Sequence, residues 1–356
     1  MKNKNWIYGF FISCFGIFIL VGSFNYKIDS LGILKDSTLD NVTKDLADGN
    51  IIAGLSNIDE RIFRKKQIKY LKNDVEFIAI GSSRTMQLRK NMFLDDGINN
   101  FQNYSVSGAS LEDYIALIQV HKNKFGKLPK NIILGLDAWI FNQNNGQTRY
   151  LSLVEEYNEF ISILNNSSKQ KINNDTSTRN NFLYFISIEY FKKNLKDFSK
   201  KEIFYIADNI EVDDNLRMPD GSIYYPYKSR FPDFKEVEKV AKSYTQGNVY
   251  SLENYKKLFN IELFENLIKY LLENNVNIYF YLTPYNPITY DILMQNEKYK
   301  IINQAEEYII NFSKQNNIKI VGSFNPHNYN LTNEDFFDGM HSLDIAYEKI
   351  FKNLLD

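Results

Sequence analysis

A serine delivered by an apolar run and a histidine close behind a carboxylate are the residues of this chain whose types and spacing could do chemistry. The serine closes Phe77-Ile78-Ala79-Ile80-Gly81-Ser82-Ser83, and Arg84 follows it. The histidine ends Asp338-Gly339-Met340-His341, and it is one of only three in the chain. A serine hydroxyl is a poor nucleophile until a base takes its proton, and the base works best when an acid orients it. Serine, histidine and aspartate together point to acyl transfer through a covalent intermediate.

Such residues must be brought to one edge by regular elements. Val75–Gly81 reads as an almost continuous apolar strand, interrupted only by Glu76, as expected in a parallel sheet covered on both faces. Further strands are predicted at 101–106, 131–136, 276–282 and 318–321, and helices at 111–125, 255–274, 299–315 and 342–355. Ser110 is a plausible cap for the first of these helices. The alternation predicts an α/β three-layer sandwich with about five parallel strands, which assigns 72–356 to one domain. The rhythm breaks from about 142 to 250, read as a large insertion. Within it, 165–181 reads as a loop, 182–198 as a helix, and Ile223-Tyr224-Tyr225 as a short extended segment after a turn.

In open α/β sheets, ligands bind beyond the carboxyl ends of the strands. Gly81-Ser82-Ser83, the loop Ser105 to Ser110 with Gly108 in it, and Asp137-Ala138-Trp139 all fall at such ends. Thr283-Pro284-Tyr285-Asn286-Pro287 does too and is expected to shape a pocket wall.

These blocks, in this order on an α/β chain, resemble the SGNH (GDSL-like) hydrolase superfamily. The resemblance implies that Ser83 is the nucleophile, His341 the base and Asp338 its orienter, and that the backbone N–H groups of Ser83 and Gly108 form an oxyanion hole. Two positions depart from the pattern. The usual Gly-Asp-Ser is Gly81-Ser82-Ser83, and the third block has Asp137 where an asparagine donor is normal. An ionised carboxylate cannot donate a hydrogen bond. Asp137 therefore does another job, another donor replaces it, or the hole is weak, which counts against fast hydrolysis more than against acyl transfer. Arg84 reads either as a surface or helix-start residue or as a guanidinium for a substrate anion. Trp139 reads as packing or a sugar contact, and Arg217 with its turn to Ser222 as a plain turn or an acceptor-binding lid. His121 reads as a surface or partly packed helix residue and His327 as a loop residue. No cluster has metal-ligand spacing, and no cofactor is implied.

Net charge is −1 and charged residues make up 24% of 356, so no strong field would attract nucleic acid. Lys2 and Lys4 precede an uncharged run from Trp6 to Phe24, which at about 1.5 Å per residue comes close to a hydrocarbon core of roughly 30 Å. Residues 1–24 read as an uncleaved signal anchor, single-pass, with the remainder outside the cytoplasm; Lys27 on the far side weakens the charge bias slightly. The only cysteine, Cys14, lies inside the run, so no intrachain disulfide forms, and a lipid-modified Cys is disfavoured because the apolar stretch continues past it. Residues 25–71 read as a polar membrane-proximal connector. With the anchor, the resemblance narrows to the branch that includes DltD of teichoic-acid D-alanylation and the exopolysaccharide O-acetylation proteins. That implies O-acylation of a cell-envelope glycopolymer beside a multispanning membrane acyltransferase. The same triad would also serve a carbohydrate O-acyl esterase, and a degenerate site would leave a non-catalytic scaffold.

Overall fold

Every residue of Phe77–Ile80 is buried, which is why that run carries no polar alternation. In the computed structural model, which describes residues 2–29, 37–55, 58–93, 97–164, 185–197, 204–352 and 354, the described strands are β1 (Ile51–Ala53), β2 (Phe77–Ile80), β3 (Phe101–Asn103), β4 (Asn131–Leu136), β5 (Tyr205–Ala207), β6 (Leu216–Arg217), β7 (Ile223–Tyr224), β8 (Asn277–Leu282) and β9 (Lys319–Gly322). Five of them form a parallel sheet in the order β3-β2-β4-β8-β9. Ile78 is in register with Ile132, Leu134 with Phe280, and Phe280 with Ile320.

Successive strand residues point to opposite faces, and here each face has its own core. Ile78, Ile80, Ile132, Leu134, Leu136 and Phe280 pack with the helices Leu111–Phe125, Ile261–Glu273 and Ile301–Asn316. Phe77, Ala79, Ile133, Tyr281 and Val321 pack with Phe93 and with the closing helix Asp344–Phe351. Both faces are covered, so an α/β architecture with a parallel five-stranded sheet is what the alternation produces. From β2 the chain moves outward to β3 and then crosses to β4 on the other side. Strand order therefore reverses at β2, the kind of point where such sheets open a crevice at their carboxyl edge.

The described residues of 37–71 are folded into the protein rather than forming a polar connector. Leu39, Val42 and Leu46 on the helix Ser37–Ala47 pack on Ile52, Leu55 and Phe63. The helix Glu60–Tyr70 buries Arg61, Arg64, Lys66 and Gln67 along with Phe63 and Ile68. A helix whose buried face carries cations looks like a solvated helix in the sequence, which explains the difference. The described residues of the break at 142–250 also form regular elements, and they meet those of 37–71. β1 pairs antiparallel with β5 and β6, and β6 with β7, in a second sheet ordered β5-β1-β6-β7. Its strands are two or three residues long, too short to show a period. The 165–181 loop lies outside the described residues. The helix expected at 182–198 is described as Ile188–Asp197.

At the N-terminus, Lys2–Ile28 is one helix. Its segment Trp6–Ile28 is long and apolar enough to cross a membrane, with Trp6, Phe10, Phe11 and Ile12 exposed along it.

His121, expected at or near the surface, is fully buried on the Leu111–Phe125 helix, 3.1 Å from the Tyr104 hydroxyl and in tilted ring contact with Phe125 at 4.8 Å. Burial lowers its pKa to about 4, against 6.5 for a free histidine. Between those values the unfolded chain holds a proton that the folded chain does not, so acidification favours unfolding. At pH 5 this group alone is expected to cost about 2 kcal/mol relative to pH 7. Urea unfolding of His121→Asn at the two pH values should show a correspondingly smaller loss; an equal loss would remove His121 from the acid response.

Candidate active site

The strand β2 ends at Gly81 because of a close approach on its neighbour. A Cβ at Gly81 would lie 2.3 Å from the Thr85 hydroxyl, and one at Gly135 on β4 would lie 2.0 Å from it. Thr85 thus fills a notch made by two glycines. The chain turns tightly above it, with the Thr85 N–H donating to the Ser82 carbonyl at 2.9 Å. Ser82 is buried, and Ser83 is left half-buried at the sheet edge.

The second block is a closed turn. Phe336 and Ser342 form an antiparallel bridge. Inside it, one Asp338 oxygen accepts the backbone N–H groups of Met340 and His341, each at 2.8 Å. The other oxygen lies 2.7 Å from His341 Nδ1, and His341 Nε2 lies 2.9 Å from Ser83 Oγ. Burial pushes the Asp338 carboxyl up, but the imidazole and the two amides outweigh it and hold the group below its ordinary value. An ionised carboxylate only accepts. Nδ1 therefore carries the imidazole proton, and Nε2 is free to accept from Ser83. The side chains of His341 and Asp338 are 14% and 19% exposed, so the array is reachable but largely dry.

Phe337 stacks on the imidazole at 5.4 Å and 15°, and Tyr225 meets it edge-on at 5.8 Å. Tyr225 belongs to the 142–250 stretch, which therefore supplies a wall of the site. The helix Phe234–Tyr244, from the same stretch, ends against Gly339. A Cβ on Gly339 would fall 2.7 Å from Tyr244 Cγ and 2.9 Å from the Thr289 hydroxyl. Gly339→Ala is expected to destabilise the fold by about 1–3 kcal/mol through this overpacking, measured by urea unfolding. Adding Tyr244→Ala should relieve the loss; no relief would place the strain elsewhere.

Arg84 does not face a substrate. It is buried, and its Nε donates to the Met340 carbonyl at 3.0 Å, Nη1 to Asp137 at 3.1 Å, and Nη2 to the carbonyls of Thr283, at 2.7 Å, and Pro284. Its guanidinium lies over the rings of Tyr285 and Trp139. Asp137 and Trp139 are buried as well, so neither is available to a sugar. Burial raises the Asp137 carboxyl above its ordinary value, while Arg84, Ser82 and Thr283 pull it down. The other job of Asp137 is thus to balance Arg84. The 283–287 segment supports the histidine turn from beneath: Asn286 N–H donates to the Gly339 carbonyl at 3.2 Å, and its side chain caps the helix Pro287–Met294.

The Gly108 loop is held from two sides. Arg61 donates to the carbonyls of Ser107 and Gly108 while gripping Asp113 with two bonds of 2.8 and 2.9 Å. The exposed Arg149 reaches the Ser107 hydroxyl and the Gly108 carbonyl, beside the Tyr250 hydroxyl. Gly108 has φ +53°, a conformation that favours glycine, and a Cβ there would sit 2.1 Å from Arg149 and Tyr250 atoms. Among the described residues, neither the Ser83 nor the Gly108 backbone N–H has a protein acceptor.

Arg217 is not on a free lid. It pairs with Glu60 at 2.9 Å over the Phe63 ring, and Glu60 accepts the Ser107 N–H at 2.6 Å. Burial opposes the charge on Glu60, yet Arg217 and Ser107 bring its pKa down to about 2. The turn after Arg217 is stitched to the sheet by Asp220, whose carbonyl takes the Asn103 N–H and whose carboxylate takes that of Lys90. His327 is exposed and paired with Asp291.

Sequence reasoning missed Arg61, Tyr225, Phe337, Tyr244 and Arg149. Only Phe337, next to Asp338, carried a local signal. No protein-family model matches the chain, and no curated protein matches it.

Proposed function

We propose that this protein is a membrane-anchored serine acyltransferase of the SGNH type, with its domain outside the cytoplasm and a cell-envelope glycopolymer as acceptor. The observation that carries this reading is the unbroken run of hydrogen-bond contacts from Ser83 Oγ through His341 to Asp338 at the carboxyl edge of the sheet. His341 Nε2 takes the hydroxyl proton as Ser83 Oγ attacks the acyl carbonyl. The N–H groups of Ser83 and Gly108 receive the charge that develops on the carbonyl oxygen, each such donor being worth about 3–4 kcal/mol in the transition state. His341 then returns the proton to the leaving oxygen or sulfur of the donor, giving an acyl-serine. In the second half, an acceptor hydroxyl gives its proton to His341 and attacks the ester carbonyl, and His341 passes that proton to Ser83 Oγ as the acyl–oxygen bond breaks, which releases the acylated acceptor and restores the free serine.

The surroundings suit a carbohydrate acceptor. The walls around His341 are aromatic, from Tyr225 and Phe337, and the exposed Tyr250 and Arg149 beside Gly108 offer a ring and a guanidinium to a sugar or its anionic substituent. A multispanning acyltransferase would be the supplier of the acyl group.

The test uses the full chain in nanodiscs with a chromogenic acetyl ester, followed by release and by intact mass, with and without an oligosaccharide. An acetyl adduct that requires Ser83 and moves to sugar is the expected result. Adduct lost only to water would make the protein an esterase. No adduct, together with full rescue of a deletion strain by Ser83→Ala, would leave a scaffold.

A further inference from the structure

The helix Ile188–Asp197 has two faces with different fates. One is fastened to the end of the apolar N-terminal helix. Asn25 Nδ2 donates to the carbonyls of Phe185 and Ser187 at 3.0 and 2.9 Å, Asn194 donates to Asn25 at 3.1 Å, and the Tyr190 hydroxyl donates to Asp29 at 2.6 Å. Asn25, Asn194, Tyr190 and Asp29 are all buried there. Phe24 and Phe191 rings pack at 4.8 Å, and Phe185 sits where a Cβ on Gly22 would be. These buried contacts also make the end of the first helix part of the folded protein, which a removed leader would not be.

The other face is open and apolar. Ile188 is 61% exposed and Leu195 55% exposed; seven residues apart, they share one side of the helix, with the exposed Lys192 between them and Lys196 alongside. Two exposed apolar side chains with lysines between and beside them, whose long stems can carry their charges up to the headgroups, suit a helix lying in a lipid interface. Its position says which surface it would meet. It is bound to residues 22–29, the last turns of the segment Trp6–Ile28 that can cross a membrane, so it stands level with the place where that helix leaves the hydrocarbon. Tyr26, 52% exposed at the same level, is of the type enriched there.

We infer that the Ile188–Asp197 helix lies in the bilayer surface on the side of the folded domain, with Ile188 and Leu195 in lipid and Lys192 and Lys196 among anionic headgroups. This rests on the first helix spanning the bilayer and is independent of the acyl-transfer reading. The two helices would then form a bent anchor that fixes how the domain is tilted over the membrane, which a single spanning helix leaves free.

The test places an environment-sensitive fluorophore on single cysteines in a Cys14→Ser background. The full chain is held at one copy per nanodisc of phosphatidylcholine and phosphatidylglycerol. Leu20→Cys reports on the span, Ile188→Cys and Leu195→Cys on the second helix, and Lys228→Cys, whose side chain is 83% exposed, on water. Blue-shifted emission at 20, 188 and 195, with quenching by brominated lipid several-fold above that at 228, is expected. Quenching at 20 but not at 188 or 195 overturns the proposal while leaving the span intact. No quenching at 20 removes its premise. Quenching of 188 and 195 that appears only in discs holding two copies would mean that a second chain covers this face, and would overturn it as well.

Discussion

Ser83→Ala is expected to remove acyl transfer, with turnover falling by about 10⁴-fold or more while the fold stays intact. Residues that act as one unit lose nearly the whole effect when any one of them is removed. Ser83 Oγ is the only atom of the array that could form the ester, and His341 Nε2 has no second acceptor role once it is gone. His341→Ala should match it, and the double variant should be no worse than either single one, because neither residue retains a function without the other. Asp338→Asn should keep the geometry but lose a large part of the rate, since an amide can present its donor to Nδ1 and so favour the wrong tautomer. Ser83 is half-buried, and among the described residues its hydroxyl bonds only to His341, so unfolding free energy should change by less than about 1 kcal/mol. Steady-state turnover alongside urea unfolding separates the two readouts. A Ser83→Ala protein that still acylates polymer at the normal rate would end the serine mechanism.

Arg84→Met is expected to produce the largest loss of stability among the site residues, about 3–5 kcal/mol. The substitution leaves the Asp137 carboxylate fully buried without its cation and orphans three carbonyls, those of Met340, Thr283 and Pro284. Arg84→Lys should not restore it, because one ammonium cannot reach acceptors arranged around a planar fork. Arg84→Met combined with Asp137→Leu should recover part of the loss, since removing a buried pair together is far less costly than removing one partner. Met340 is the residue before His341, so the same variant should also lower turnover by displacing the imidazole. Urea unfolding of the three variants decides this. Equal losses for the single and double variants would show that the ion pair is not what the fold depends on.

The local elements were legible in the sequence for a physical reason. Strands β4 and β8 and the Leu111–Phe125 helix are each dictated by their own residues: continuous apolar runs where both faces are covered, and an apolar period closed by Ser110 at one end and Gly126, with φ +71°, at the other. From residue types alone, Ser83, Asp338 and His341 stood out as a nucleophile, an acid and a base. The sequence could not say that they meet. Ser83 and His341 are 258 positions apart, and only the parallel order of the sheet, with both blocks at its carboxyl edge, sets their distance. The roles of Arg84, Asp137 and Arg217 were beyond reach for the same reason. A charged residue at a strand end looks alike whether it meets solvent, a substrate or a partner, and its partner is chosen by long-range packing. Residues 37–71 and 142–250 show the limit most clearly. Their described strands are too short for a period, and the Glu60–Tyr70 helix buries cations, so what makes them part of the domain is each other. Sequence by itself determined the layers and the chemical candidates. The tertiary structure decided which of those candidates face the site and which hold it in place, because hydrogen bonds and ion pairs between distant segments leave no trace in local periodicity.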